Sequence, residues 1–161
     1  MIAAFELAGF FAAHAIRCAA DRESLVPMLA YTTADDERKM ERLVRQQNVS
    51  PVAVGQKRLA ANDMHGTNAA LLYEGRIPVG KETLDAVIIE VRAYSHPDLP
   101  ATIAVPYTPA ASGQFRVHMP KLLVWNDSDQ KMAAAMEAFF GGIAANAEGA
   151  RIWNSSLDES K

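Results

Sequence analysis

At 161 residues, half of them hydrophobic, the chain is long enough to close one substantial core and too short for two ordinary domains, so a single domain over 1–161 is expected. With 19 acidic against 16 basic residues the net charge is −3, which leaves no cationic excess to hold a phosphate backbone and argues against nucleic acid as a partner. The single cysteine, Cys18, excludes an internal disulfide and fits a reducing compartment.

From Ile2 to about Ala20 an alanine-rich composition favours helix, with Phe5, Gly9, Ala12, Ala13 and Ile16 on one stripe and Phe10 and Phe11 off it. A helix apolar around most of its circumference needs cover on more than one side. It therefore lies deep in the fold, the favoured reading, or at a subunit interface. The apolar run Ile2–Ile16 is interrupted by Glu6 and His14, and Arg17 follows rather than precedes it, which is not the charge order of an export signal. At about 15 residues the run is also shorter than the roughly 20 that cross a bilayer. A cytoplasmic protein without a membrane partner is expected.

Leu25 to Thr33 reads as a short strand, with Pro27 placing its start at a sheet edge or bend. Thr33 offers a hydroxyl cap to a helix opening with Asp35, Asp36 and Glu37, whose buried side is Met40, Leu43 and Val44. Ser50-Pro51 repeats the start signal for a helix ending near His65-Gly66, anchored by Val52, Leu59 and Met64.

Four stretches then alternate apolar and polar residues. Their apolar sets are Leu71, Tyr73 and Ile77; Val87, Ile89, Val91 and Ala93; Ile103, Val105 and Tyr107; and Phe115, Val117 and Met119. Alternate side chains of a strand point to opposite faces, so these sets are expected to meet one core. Proline or glycine at Pro78–Lys81, His96–Pro100 and Pro109–Gly113 marks the reversals between neighbouring antiparallel strands. After Pro120 the parity inverts: Lys121 falls on the apolar side and Leu122 and Val124 on the polar one, which a bulge near Pro120 explains. Asp127 or Ser128 caps a last helix in which Met132, Met136, Phe139 and Ile143 form the stripe expected to cover the sheet, and Ile152, Trp153 and Leu157 anchor the tail. The fold class is thus α+β: a four-strand antiparallel meander plus an N-terminal edge strand, with helices packed on one face.

The polar parity carries Glu74, Arg76, Glu90, Arg92, Arg116 and His118. A solvated charge ladder is the ordinary explanation. The functional one is an anion site in which Arg92 and Arg116 hold a carboxylate or phosphate, His118 moves a proton and Glu90 orients it. Asp85 and Glu90 lie five residues apart on opposite faces of a regular strand, which removes a shared magnesium site and with it a nuclease reading. His14 and Cys18 are one helical turn apart, but a zinc site lacks further ligands at short spacing, and a thiol in an apolar helix is ordinarily inert packing. Asn126–Asp129 lacks the glycine and distal glutamate of a calcium loop and is a helix cap, while Gly141-Gly142 sits inside a helical pattern and signals close packing or a kink. No nucleophile elbow, P-loop or dinucleotide fingerprint is present.

No metal or cofactor is expected from this sequence. The leading functional expectation is a non-catalytic cytoplasmic binding or interaction module, homodimeric, recognising a protein or a small anionic ligand. The alternative is a cofactor-free enzyme for a small anionic substrate, with His118 and Glu90 as catalytic candidates and Arg92 and Arg116 as ligand-binding ones.

Overall fold

A computed structural model describes residues 1–161. Helix α1 (Ile2–Ala20) leads into strand β1 (Met28–Thr32), β2 (Arg38–Arg42) and helix α2 (Pro51–Ala61). The long strands β3 (Asn68–Val79) and β4 (Glu82–Ala93) follow, then β5 (Ala101–Thr108), the short β6 (Arg116–His118) and β7 (Lys121–Val124), helices α3 (Asp129–Ala145) and α4 (Ala147–Ser156), and a two-residue strand β8 (Leu157–Asp158). The strands form one mixed sheet curled into a half-barrel, in the order β2-β1-β3-β4-β5-β6-β8, with β7 beside β5. All pairings are antiparallel except that of β8 with β6.

α1 fills the concave side. Ala4, Phe5, Ala8, Ala12, Ala13, Ala15 and Ile16 are fully buried, joining the inward side chains of five strands: Met28 and Ala30, Leu72, Val87 to Val91 on alternate positions, Ile103 and Val105, and Val117. The other side of α1 is closed by α3 and α4. A Cβ at Gly9 would overlap the Phe139 carbonyl, and one at Gly142 would overlap that of Glu6, so two helix backbones touch where both lack a side chain. Gly149 packs against Ala13 in the same manner, and Asn146 donates from Nδ2 to the Phe10 carbonyl at 3.0 Å. α1 is 19 residues long and by length and composition apolar enough to cross a membrane, yet it is the core helix of this fold.

Several expectations are corrected. The segment after Thr33 is a strand, not a helix. Thr33 Oγ1 does accept from the Glu37 amide at 3.1 Å, but the Thr33 amide also donates to Glu37 O at 2.9 Å, which closes a turn whose Asp36 has φ +62°. A cap hydroxyl followed by acidic residues suits a tight turn as well as a helix start. Once β1 offers an edge, pairing prevails: Thr32↔Arg38 through Met28↔Arg42. Leu43 is buried, but Val44 is 71 % exposed. β1 is consequently interior, between β2 and β3, and the edge is β2, whose Arg38, Lys39, Glu41 and Arg42 discourage further strand addition.

The first apolar set lies on the wrong face for the forecast. The β3–β4 hairpin closes on Gly80-Lys81, with Val79↔Glu82 and Gly80 at φ +61°, which pairs Leu71 with Glu90, Leu72 with Ile89 and Tyr73 with Ile88. Ala70 and Leu72 therefore face α1, while Leu71, Tyr73 and Ile77 lie outside with Glu90. A one-residue change in register exchanges every side chain between faces. Glu74 and Arg76 move to the inner parity beyond the reach of α1, where Glu74 accepts from the Leu25 amide at 2.9 Å and Arg76 pairs with Asp85 at 3.3 Å.

Helices occupy both faces rather than one. α2 begins as expected, with Ser50 Oγ accepting from the Ala53 amide and Pro51 in the first turn, and ends at Ala61 on Asn62 in the left-handed region. It buries Leu59 against Leu29, Leu43, Ala69 and Leu71 on the outer face. Arg58 ties it to Glu41 at 2.6 Å and Asp63 at 2.9 Å. α3 starts on Ser128 as forecast but covers α1 rather than the sheet. The bulge near Pro120 is present: β6 pairs Tyr107↔Val117, β7 pairs Ile103↔Leu122, and the register has moved by one residue across Met119-Pro120, which returns Leu122 to the core side.

Candidate functional site

The structure does not gather the four forecast residues. Glu90, Arg92, Arg116 and His118 do share the outer parity, because β4, β5 and β6 pair odd with odd. Along β5, however, Glu90 is opposite Thr102 and Arg116 opposite Thr108. At about 3.3 Å per residue those six steps separate them by roughly 20 Å. The outer face thus has two polar ends with an apolar middle of Ile77, Ala86, Ile88 and Ala104.

At the α2 end, Glu90 Oε2 accepts from Tyr73 OH at 2.9 Å and from Gln56 Nε2 at 2.8 Å. Burial, reinforced by the Glu90 carboxylate, pushes the Tyr73 phenol up to about 12, so it stays a donor. Arg92 donates to its own strand at Val91 O, 3.0 Å, and Tyr94 OH donates to Leu59 O at 2.7 Å, where burial again raises the phenol to about 12. The Gln56–Glu90 and Tyr94–Leu59 bonds fasten α2 to the sheet.

At the other end, His118 is 1 % exposed although it lies on the sheet face away from α1. Its Nε2 shares a 2.8 Å hydrogen bond with Thr108 Oγ1, while Nδ1 is buried without a hydrogen-bond partner and stands 3.9 Å from Asp158 Oδ2. Burial pushes the imidazole below its ordinary value, against an opposing pull from the Asp158 carboxylate. Asp158 is itself held down to about 2, first by hydrogen bonds from Ser160 and then by Arg116, whose Nη1 donates at 3.4 Å. A small cleft of about 230 Å³ opens beside them, lined by Gln114, Arg116, Ser155, Ser156 and Asp158 among others. Hydroxyl, imidazole and carboxylate thus stand in the order of a nucleophile, a base and its orienter, with the second contact longer than a hydrogen bond. Neither Thr108 nor Asp158 was legible as a site residue, since Asp158 reaches His118 only through the parallel β6–β8 pairing.

A more spacious concavity lies elsewhere. A groove of about 710 Å³ runs between the first half of α1 and the β1–β2 hairpin, with Leu7, Phe10 and Phe11 as its apolar wall and Glu6, Asp36 and Arg38 as its charges. The Arg38 guanidinium lies 4.3 Å over the Phe10 ring and 3.6 Å from Glu6. The departure of Phe10 from the α1 stripe was its sole trace in the sequence.

His14 Nε2 and Cys18 Sγ are 3.8 Å apart, and burial raises the thiol while lowering the imidazole, so neither is tuned for nucleophilic work. No three His, Cys, Asp or Glu side chains gather in a metal-binding cluster. No protein-family model matches the chain, and no curated protein or solved structure matches it either.

Proposed function

We propose that the chain is a non-catalytic binding module whose partner occupies the groove beside α1. One observation carries this reading: the groove has the volume of a ligand site and combines an apolar wall with convergent charges, whereas the forecast anion site is split and its Glu90 and Arg116 are occupied internally. With two carboxylates, Glu6 and Asp36, against one guanidinium already stacked on Phe10, the groove suits a protein segment that presents an apolar side chain beside a basic one. The test is a chemical-shift titration with the amidated tripeptide Lys-Phe-Lys. Shifts at Phe10, Asp36 and Arg38 that weaken in Glu6→Gln and Asp36→Asn support it. Equal affinity for Glu-Phe-Glu, or shifts elsewhere alone, overturns it.

Homodimerisation in the cytoplasm belongs to the same proposal. Its original motive, the apolar first helix, is answered within the chain, and the support that stays is the exposure of Ile2, Leu123, Val124 and Phe140. Light scattering that finds only monomer at micromolar concentration removes the dimer.

The 2.8 Å Thr108–His118 contact favours a second reading, a cofactor-free enzyme in which His118 draws the proton from Thr108 and Arg116 meets the anionic substrate. Hydrolysis of p-nitrophenyl acetate at equal rates by the wild type, Thr108→Val and His118→Gln sinks it.

A further inference from the structure

The last residues of the fold lie beside His118, with β6 between them and Thr108. β8 is two residues long and pairs only with the three-residue β6. Beyond that ladder the segment is held by Leu157, which packs partly buried against the main core, and past Leu157 by Arg116 to Asp158 at 3.4 Å, by the Met119 amide to Lys161 O at 3.4 Å, and by Lys161 Nζ to Glu82 at 2.6 Å. Exposed ion pairs of this kind contribute little, because water and salt screen them. The imidazole beside them is nonetheless nearly inaccessible, and one of its ring nitrogens has no hydrogen-bond partner.

We propose that residues 157–161 form an acid-released strap beside His118. A neutral imidazole fits where it lies, needing only Thr108 at Nε2. Protonation leaves N–H donors on both ring nitrogens, and buried Nδ1 meets no side-chain acceptor at hydrogen-bond distance, the Asp158 backbone being the one group there that favours the cation by hydrogen bonding. The charges acting on it are Asp158 from β8, Lys161 beyond it, and Arg116 from its own strand; β5 adds the neutral Thr108, and the end of α4 brings the hydroxyls of Ser155 and Ser156 to the neighbouring cleft. Asp158 is 3.9 Å away and already accepts from Ser160 and Arg116, while the other two groups repel a cation. Burying an incompletely paired cation costs more than the few weak ties of the strap return. The imidazolium therefore moves to water, and the two-residue ladder opens with it. The direction agrees with burial holding His118 below its ordinary value, since such a group loses its stabilising contribution as pH falls.

Hydrogen exchange on the full chain at pH 7.5 and 5.5, with times scaled for the intrinsic rate, tests the strap. The expected result is at least tenfold faster exchange across 155–161 at the lower pH, with α1 and β4 still protected, and no such acceleration in His118→Gln. Equal exchange at both values, the same acceleration in His118→Gln, or simultaneous loss of protection in α1 overturns it. Should His118→Gln fail to fold, the His118 ring signals of the wild type are titrated by NMR. The strap requires imidazole protonation and tail exchange to share a midpoint, and a ring that titrates beside a protected tail refutes it.

Discussion

The inner and outer faces of one sheet are built on different rules. The inner face presents aliphatic side chains from five strands to α1, and α1 is pinned from behind by helix backbones that meet at Gly9 and Gly142. The outer face is divided: α2 covers one end through Leu59 and a set of satisfied polar bonds, the middle is apolar, and at the other end the last few residues lie beside an incompletely bonded histidine. Close packing on one side supplies stability with little room for change. The second side carries the Thr108–His118–Asp158 group and a cleft of about 230 Å³, while the groove with Glu6, Asp36 and Arg38 opens beside α1 at the margin of the first. The difference teaches that the polar alternation of a strand marks a face, while the cover laid on each part of that face decides what its residues can do.

Changes to the inner face are the most severe way to test the contrast. Gly142→Ala places a methyl against the Glu6 carbonyl, a backbone atom that cannot turn aside, and is expected to cost on the order of 3 kcal/mol in denaturant unfolding. Gly141→Ala, whose Cβ meets nothing within 4 Å, is expected to gain roughly 0.5–1 kcal/mol through helix propensity. Equal losses at the two positions break the account of α1 and α3 in contact. On the outer face, Leu59→Ala is expected to cost about 3 kcal/mol and Val44→Ala less than about 0.5, the reverse of what a helix over 35–44 anchored by Val44 implies.

The two polar ends separate under acid. His118 contributes stability that is present above about pH 6.5 and declines as pH falls below it, because the folded protein takes up the proton less readily than the unfolded chain. The contribution of Asp158 persists further, fading only between about 3.8 and 2. Urea unfolding followed between pH 8 and 5 is expected to show a slope in the wild type to which His118 and His14, both held low by burial, contribute, and a smaller one in His118→Gln. The smallest effect is expected at the α2 end. Tyr73→Phe removes one of two donors to Glu90 and should cost about 1 kcal/mol, with no change in pH dependence over the same range. A pH slope altered by Tyr73→Phe as much as by His118→Gln would mean that the two ends are one connected site.

Legibility in the sequence followed the range of the interaction involved. The Ser50 and Ser128 caps were readable because a hydroxyl meets an amide three residues on in its own chain. The opposite orientation of Asp85 and Glu90 was readable because it follows from strand period alone, and the structure gives them separate partners, Arg76 on one face and Tyr73 with Gln56 on the other. The parity break at Pro120 was readable because proline cannot donate to a ladder. The face of β3 was not, since it depends on whether the reversal closes on two residues or more. Nor was β2, where Thr33 and the acids after it satisfy a turn and a helix start equally, and only the neighbouring edge of β1 selects between them.

By itself, then, the sequence determined α1, α2, α3 and the long strands, which helix is apolar all round, and which residues of β4, β5 and β6 share a face, because those properties rest on periods of 3.6 and 2 and on contacts within a few residues, while α4 and β8 lay in what read only as an anchored tail. The tertiary structure decided the rest: that α1 is enclosed by this chain, that Glu90 and Arg116 stand roughly 20 Å apart, and that Thr108, His118 and Asp158 meet. Each of those depends on the pairing of segments far apart along the chain, and local pattern carries no record of strand register or of which element comes to rest on a given face.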